Sequence, residues 1–270
     1  MVSPYSTGGG GPYFEAKVVA YYLVATLAES PARAVPGLKV MQVLTQRAAF
    51  GEPLDDVIVN GILENGCSTK LCLQVKSTLT FTENDKEWVA VLGQAWANFT
   101  SETFDTTRDR LGVAISSYNA RADKYYQSVI GWAVHSPSGR DFAQRIMQKD
   151  FSHQDQRKFV TTTQKILSDH AGTNVDENTL WCFLCVFRIL HFDFNIEDAS
   201  RDMAGALERL RHCLPLEHRN LAHAVWTHLI AEASNIAPDG GGVSRKIWSL
   251  PFRMQTCHRG LVPRFGVISK

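Results

Sequence analysis

The stretch CLQVKSTLTF, residues 72–81, decides the reading of the chain. Its apolar residues are interrupted by a glutamine and a lysine two positions apart. In an extended strand side chains alternate between faces, so Gln74 and Lys76 share one face while Leu73, Val75 and Ser77 share the other. A strand that carries an amide and an ammonium on one side of an otherwise apolar run is built to present them somewhere.

The surrounding sequence supplies the sheet. Leu38–Gln46, Asp55–Leu63 and Leu71–Lys76 are β-branched and aliphatic runs separated by Gly51-Glu52-Pro53 and Glu64-Asn65-Gly66. They predict a three-strand meander, its second and third strands paired as a hairpin through the Asn-Gly turn. Before them, Pro12 and the segment Tyr13–Glu29, apolar on nearly every face, predict a buried helix. After them, Trp88, Leu92, Trp96 and Phe99 recur at helical spacing within Asn84–Thr100, and Leu111–Ser116 reads as a strand buried on both faces.

From Ala120–His135 onward the pattern is helical, with helices expected near 138–149, 155–170, 177–190, 199–213 and 218–236 and an irregular tail from about 240. Ser136-Pro137-Ser138-Gly139 marks a candidate boundary. The expected organisation is a first domain over 1–136 and a mainly helical second domain or linker over 137–270, serving oligomerisation or connection to a regulatory module.

Composition sets limits on function. The chain has 270 residues, 44% hydrophobic and 20% charged, with net charge +1. That excludes a uniformly basic nucleic-acid coat. Residues 1–135 carry 11 Lys/Arg against 13 Asp/Glu and residues 136–270 carry 17 against 14, so any attraction for a polyanion resides in the second half. The longest unbroken apolar run is the eight residues Val18–Ala25, well short of the ~20 of a membrane span, and no signal-peptide pattern opens the chain. The expectation is a cytoplasmic protein without membrane partners and with reduced thiols. Cys182-Phe183-Leu184-Cys185 has metal-ligand spacing but lies in an apolar helical run with no second pair, and is read as core.

Hairpin pairing places the head of the second strand, Leu54-Asp55-Asp56-Val57, beside the end of the third. Asp55 or Asp56 then converges with Gln74 and Lys76, and Glu15 lies one turn into the buried helix. Neighbours on a strand point oppositely, so either aspartate qualifies; Asp56 is preferred. Carboxylates and an amide carbonyl are hard ligands for a divalent ion, and a lysine beside them can assist a water nucleophile or offset charge on a pentacovalent phosphorane. Phosphodiester cleavage requires those parts. Gln46 is read as a strand-end polar residue, with a supporting or substrate contact as the alternative.

Tyr13-Phe14-Glu15, Leu54-Asp55-Asp56-Val57 and Gln74-Val75-Lys76-Ser77 followed by Leu79-Thr80-Phe81 resemble the PD-(D/E)xK nuclease superfamily. More narrowly they resemble the double-stranded-DNA endonuclease domain associated with CD-NTases in bacterial antiphage (CBASS) systems, which also occurs as the effector of antiviral STAND NTPases. The likeness covers roughly residues 8–135, with Gln74 standing where many members carry an acid. It implies a restriction-endonuclease-like α/β mixed sheet with flanking helices. It implies Mg²⁺- or Mn²⁺-dependent cleavage of double-stranded DNA, with Asp56, Asp55, Glu15 and Gln74 as candidate metal ligands and Asp56, Gln74 and Lys76 as catalytic residues. It further implies activation by homo-oligomerisation after a signal is sensed, by a STAND ATPase or another sensor module. The competing expectation is a nuclease-like scaffold that has lost its chemistry and serves as an interaction module.

Overall fold

A computed structural model describes residues 10–117, 119–196, 199–244, 254–257 and 260–263. Its centre is α1 (Gly10–Leu27), whose residues from Ala16 to Thr26 are all buried. A helix apolar on every side needs cover on every side, and it receives it from one face of the sheet and from α7 (Arg201–Cys213) and α8 (Ala222–Ile236).

The sheet contains β1 (Lys39–Thr45), β2 (Val57–Ile62), β3 (Ser68–Lys76), β4 (Arg110–Ile115), β5 (Phe187–His191) and β6 (Gly242–Ser244) in the order β5-β4-β3-β2-β1-β6. β1, β2 and β3 form the expected antiparallel meander, whereas β4 and β5 join parallel to β3. The parallel crossovers require intervening helices. α2 (Lys86–Phe99) lies between β3 and β4; α3 (Gln127–His135), α4 (Gly139–Met147), α5 (Gln154–Ala171) and α6 (Glu177–Val186) lie between β4 and β5. The result is an α/β fold, a six-stranded mixed sheet with helices on both faces.

Strand alternation sorts the two cores. Val57, Val59, Leu71, Leu73 and Val75 pack toward α1, α7 and α8. Ile58, Cys72, Leu111, Val113 and Ile115 pack toward the other helices, around a buried Trp88 whose ring meets Phe81, Phe159 and Phe187. Gln74 and Lys76 have the parity of Cys72, so they belong to the face that α2 covers.

Four expectations need correction. The helix expected over 177–190 stops at Val186, and Phe187–His191 forms a parallel edge strand on β4. The boundary at 136 consequently does not separate two folding units: β5 completes the sheet, while α7 and α8 complete the core around α1. The tail from about 240 is not wholly irregular, since β6 extends the sheet on β1 and β7 (Met254–Cys257) pairs with β8 (Gly260–Pro263); the remainder of that tail lies outside the described residues. Cys182 and Cys185 are partly exposed rather than core, and Cys185 leans its thiol on the Ala133 carbonyl. Among the described residues no helix is long and apolar enough to cross a membrane.

Candidate active site

The connection from β1 to β2 builds one wall of the site. At its start Gln46 takes a left-handed backbone, φ +50°, a conformation that costs a side-chain-bearing residue energy and persists only where the surroundings impose it. Arg47 N–H then donates to the Asp55 carbonyl at 3.2 Å, and Ala48 N–H donates to Asp55 Oδ2 at 3.2 Å. Asp55 is thus engaged in holding the turn. Its neighbour Asp56 is the aspartate on which Gln46 and Gln74 converge.

Asp56 lies across the β2–β3 hairpin from Gln74, one step beyond the Val57–Leu73 pair. Asp56 Oδ2 accepts from Val75 N–H at 2.8 Å and from the Gln74 side-chain amide. Asp56 Oδ1 accepts from Gln46 Nε2 at 3.3 Å, and the same nitrogen donates to Glu15 Oε1 at 2.8 Å. One amide therefore ties the carboxylate of α1 to the carboxylate of β2. Gln46 is a structural member of the site, not merely a polar strand end. The sequence offers that supporting contact only as the alternative, because it depends on the left-handed turn.

Lys76, two residues beyond Gln74, reaches Glu87 Oε2 at 2.6 Å. Glu87 sits in the first turn of α2, and nothing in the sequence marked it; the pairing arises only when α2 crosses over the end of β3. A cleft of about 330 Å³ opens beside Glu15 and Gln46, floored by Pro12 and Ala16 and closed by Ala233 and Ser234 of α8. Residues beyond 136 thus line the same end of the sheet.

The electrostatics are those of anions short of counter-charge. Burial pushes the Asp56 carboxyl up to about 7, against the opposing hydrogen bond from Val75; the neighbouring Glu15 and Asp55 charges add to the rise, and Lys76 resists it. Glu15 is raised as well, first by burial, with the Gln46 hydrogen bond opposing and Asp55 adding.

The donor set can be tested against a divalent ion. Gln74 Oε1 is buried and has no hydrogen-bond partner, an uncommon condition for a buried carbonyl. The amide nitrogen of the same side chain is bonded to Asp56, whose carboxyl is raised by burial and by the Glu15 charge. Among the described residues no three His, Cys, Asp or Glu side chains form a ready cage, so an ion here draws on Asp56, Glu15, the Gln74 amide oxygen and water. That mixed oxygen set fits Mg²⁺ or Mn²⁺, which keep several waters and take few protein ligands.

No protein-family model and no curated protein sequence matches the chain. Solved structures similar to it include the Cap4 SAVED/CARF-domain containing receptor of Acinetobacter baumannii with the cyclic trinucleotide 3′3′3′-cAAA, at 15% identity, 87% of this chain, 45% of that chain and TM-score 0.44. Another is the Cap4 SAVED/CARF-domain containing receptor of Moraxella osloensis, at 14% identity, 84% of this chain, 43% of that chain and TM-score 0.40. The chain spans less than half the length of these receptors. The likeness is loose, and the chemistry of the site rests on its own residues.

Proposed function

We propose that the chain is a Mg²⁺- or Mn²⁺-dependent phosphodiester hydrolase that cuts double-stranded DNA, the effector portion of an antiphage defence protein. The observation that carries this reading is the meeting, at one end of the sheet, of Glu15, Asp56 and the partnerless Gln74 oxygen, with Lys76 on the same strand face as Gln74. The choice of DNA, the defence role, and activation through self-association or a sensor module come from the sequence resemblance.

Asp56, Glu15 and Gln74 would hold the ion, which supplies Lewis-acid polarisation of the phosphate and eases deprotonation of the attacking water. Gln46 keeps the two carboxylates in register from a backbone locked by the Asp55 turn. Lys76 draws the phosphodiester into the site and offsets charge on the phosphorane as the water oxygen bonds to phosphorus, giving its proton to solvent, and the bond to the leaving deoxyribose oxygen breaks, that oxygen taking a proton from solvent. The buried carboxylates weaken phosphate binding beside them and the ion would strengthen it, whereas the Lys76 ammonium attracts a phosphate with or without the ion.

The test is supercoiled plasmid incubated with the protein in Mg²⁺, in Mn²⁺, in EDTA, and with Lys76→Ala in Mg²⁺, beside a calorimetric Mn²⁺ titration. Cleavage that needs both metal and Lys76 supports the reading. Intact plasmid throughout, together with no Mn²⁺ heat, overturns it in favour of a scaffold without chemistry.

A further inference from the structure

Resting on the proposed hydrolase reading, we propose that Glu87 is a positioning residue: it holds the Lys76 ammonium at the mouth of the site, in the place the substrate phosphate must take. The pair measures 2.6 Å, with the lysine side chain 28% exposed and the glutamate 60% exposed. Among the described residues Glu87 is the one hydrogen-bonding or ion-pairing partner of Lys76; no such bond joins the lysine to Asp56, Glu15 or Gln74. The ammonium is partly exposed, so a polyanion can reach it from solvent.

The local structure holds Glu87 there. Asp85 caps α2, its Oδ1 accepting from Glu87 N–H at 3.1 Å and Trp88 N–H at 3.2 Å, while its Oδ2 accepts from Thr80 N–H at 2.6 Å and the Thr80 hydroxyl at 2.9 Å. The middle of the loop between β3 and α2 is thereby tied to the start of the helix, and buried Trp88 anchors the residue after Glu87. A carboxylate and a phosphodiester oxygen compete for the same donor in the same geometry. Phosphate binding therefore exchanges one ion pair for another and pushes the Glu87 charge aside. An ion pair this exposed is weak, so the barrier is small and easily paid by a substrate held at many phosphates.

The experiment measures binding of a short fluorescent DNA duplex to the full chain by anisotropy, in EDTA and low salt, so that no turnover intervenes. The variants are Glu87→Gln, Lys76→Met, the double variant, and Glu83→Gln. Glu83 is an exposed carboxylate on the same loop, paired instead with Lys165, and it reports the general effect of removing one negative charge. Glu87→Gln is expected to tighten binding about two- to fivefold beyond Glu83→Gln, a gain that vanishes when Lys76 is methionine. A purely structural role for Glu87 would weaken binding instead. Equal effects of the two glutamine variants, a gain that survives Lys76→Met, or no measurable binding by any variant overturns the proposal. The Mn²⁺ titration does not involve Glu87. Mn²⁺ binding with no Glu87 effect leaves the hydrolase reading standing without this exchange, whereas a Lys76-dependent Glu87 effect without Mn²⁺ binding leaves the exchange and removes the hydrolase.

Discussion

Gln74 and Asp56 face each other across the β2–β3 hairpin, amide to carboxylate, and the bond between them leaves the Gln74 carbonyl oxygen buried with no partner. The amide nitrogen satisfies the acid; the oxygen is what a cation would use. Gln74→Glu replaces that neutral ligand with a charged one. It is expected to tighten Mn²⁺ binding by about tenfold, because charge count sets the affinity of oxygen sites. Gln74→Leu is expected to weaken it. Calorimetric titration of the three proteins ranks them Glu, Gln, Leu; any other order argues against Gln74 as a ligand.

Asp56 gives the metal-free protein a pH dependence of definite sign. Its carboxyl titrates at about 7 in the folded chain against an ordinary value of 3.8. Between those values the folded state binds more protons than the unfolded, so stability falls as pH rises, and the loss is complete above about 7. The Tm in EDTA is expected to drop from pH 5 to pH 8 by more than that of Asp56→Asn. The loss is of the order of a few kcal/mol. Mg²⁺ affinity should climb over the same window, because a ligand must shed its proton to bind. A variant with the same Tm profile as the parent would remove Asp56 as the cause.

Gly112 tests the edge of the sheet. A Cβ placed there would lie 2.1 Å from the Arg188 carbonyl oxygen, a backbone atom of β5 that has no flexible retreat. Gly112→Ala is expected to cost roughly 1–3 kcal/mol, the range for overpacking, read as a lower urea midpoint at unchanged m-value. An unaffected midpoint would mean that Phe187–His191 does not pair with β4.

Much of this arrangement was legible because its causes are local. The meander follows from three β-rich runs and an Asn-Gly turn, and α1 from a nearly all-round apolar segment; hairpin pairing brings Asp55-Asp56 beside the end of β3, and the observed register puts Asp56 opposite Gln74. What escaped depends on distant partners. Phe187–His191 continues the apolar run of α6 without a break in pattern, and only the open side of β4 makes a strand of it. Gln46 owes its role to a positive φ that no residue preference announces. Glu87 owes its role to the placement of a crossover helix.

The strand order has a practical meaning for anyone who would divide the molecule. Both rims of the sheet, β5 and β6, come from beyond residue 136, although the candidate ligands and Lys76 come from before residue 77. A fragment ended at 136 would keep every candidate ligand yet bare the β4 rim and one apolar flank of α1. Such a fragment should aggregate when expressed alone and recover solubility only when residues 137–270 are supplied in the same cell. The portion that holds the candidate ligands is not a portable module.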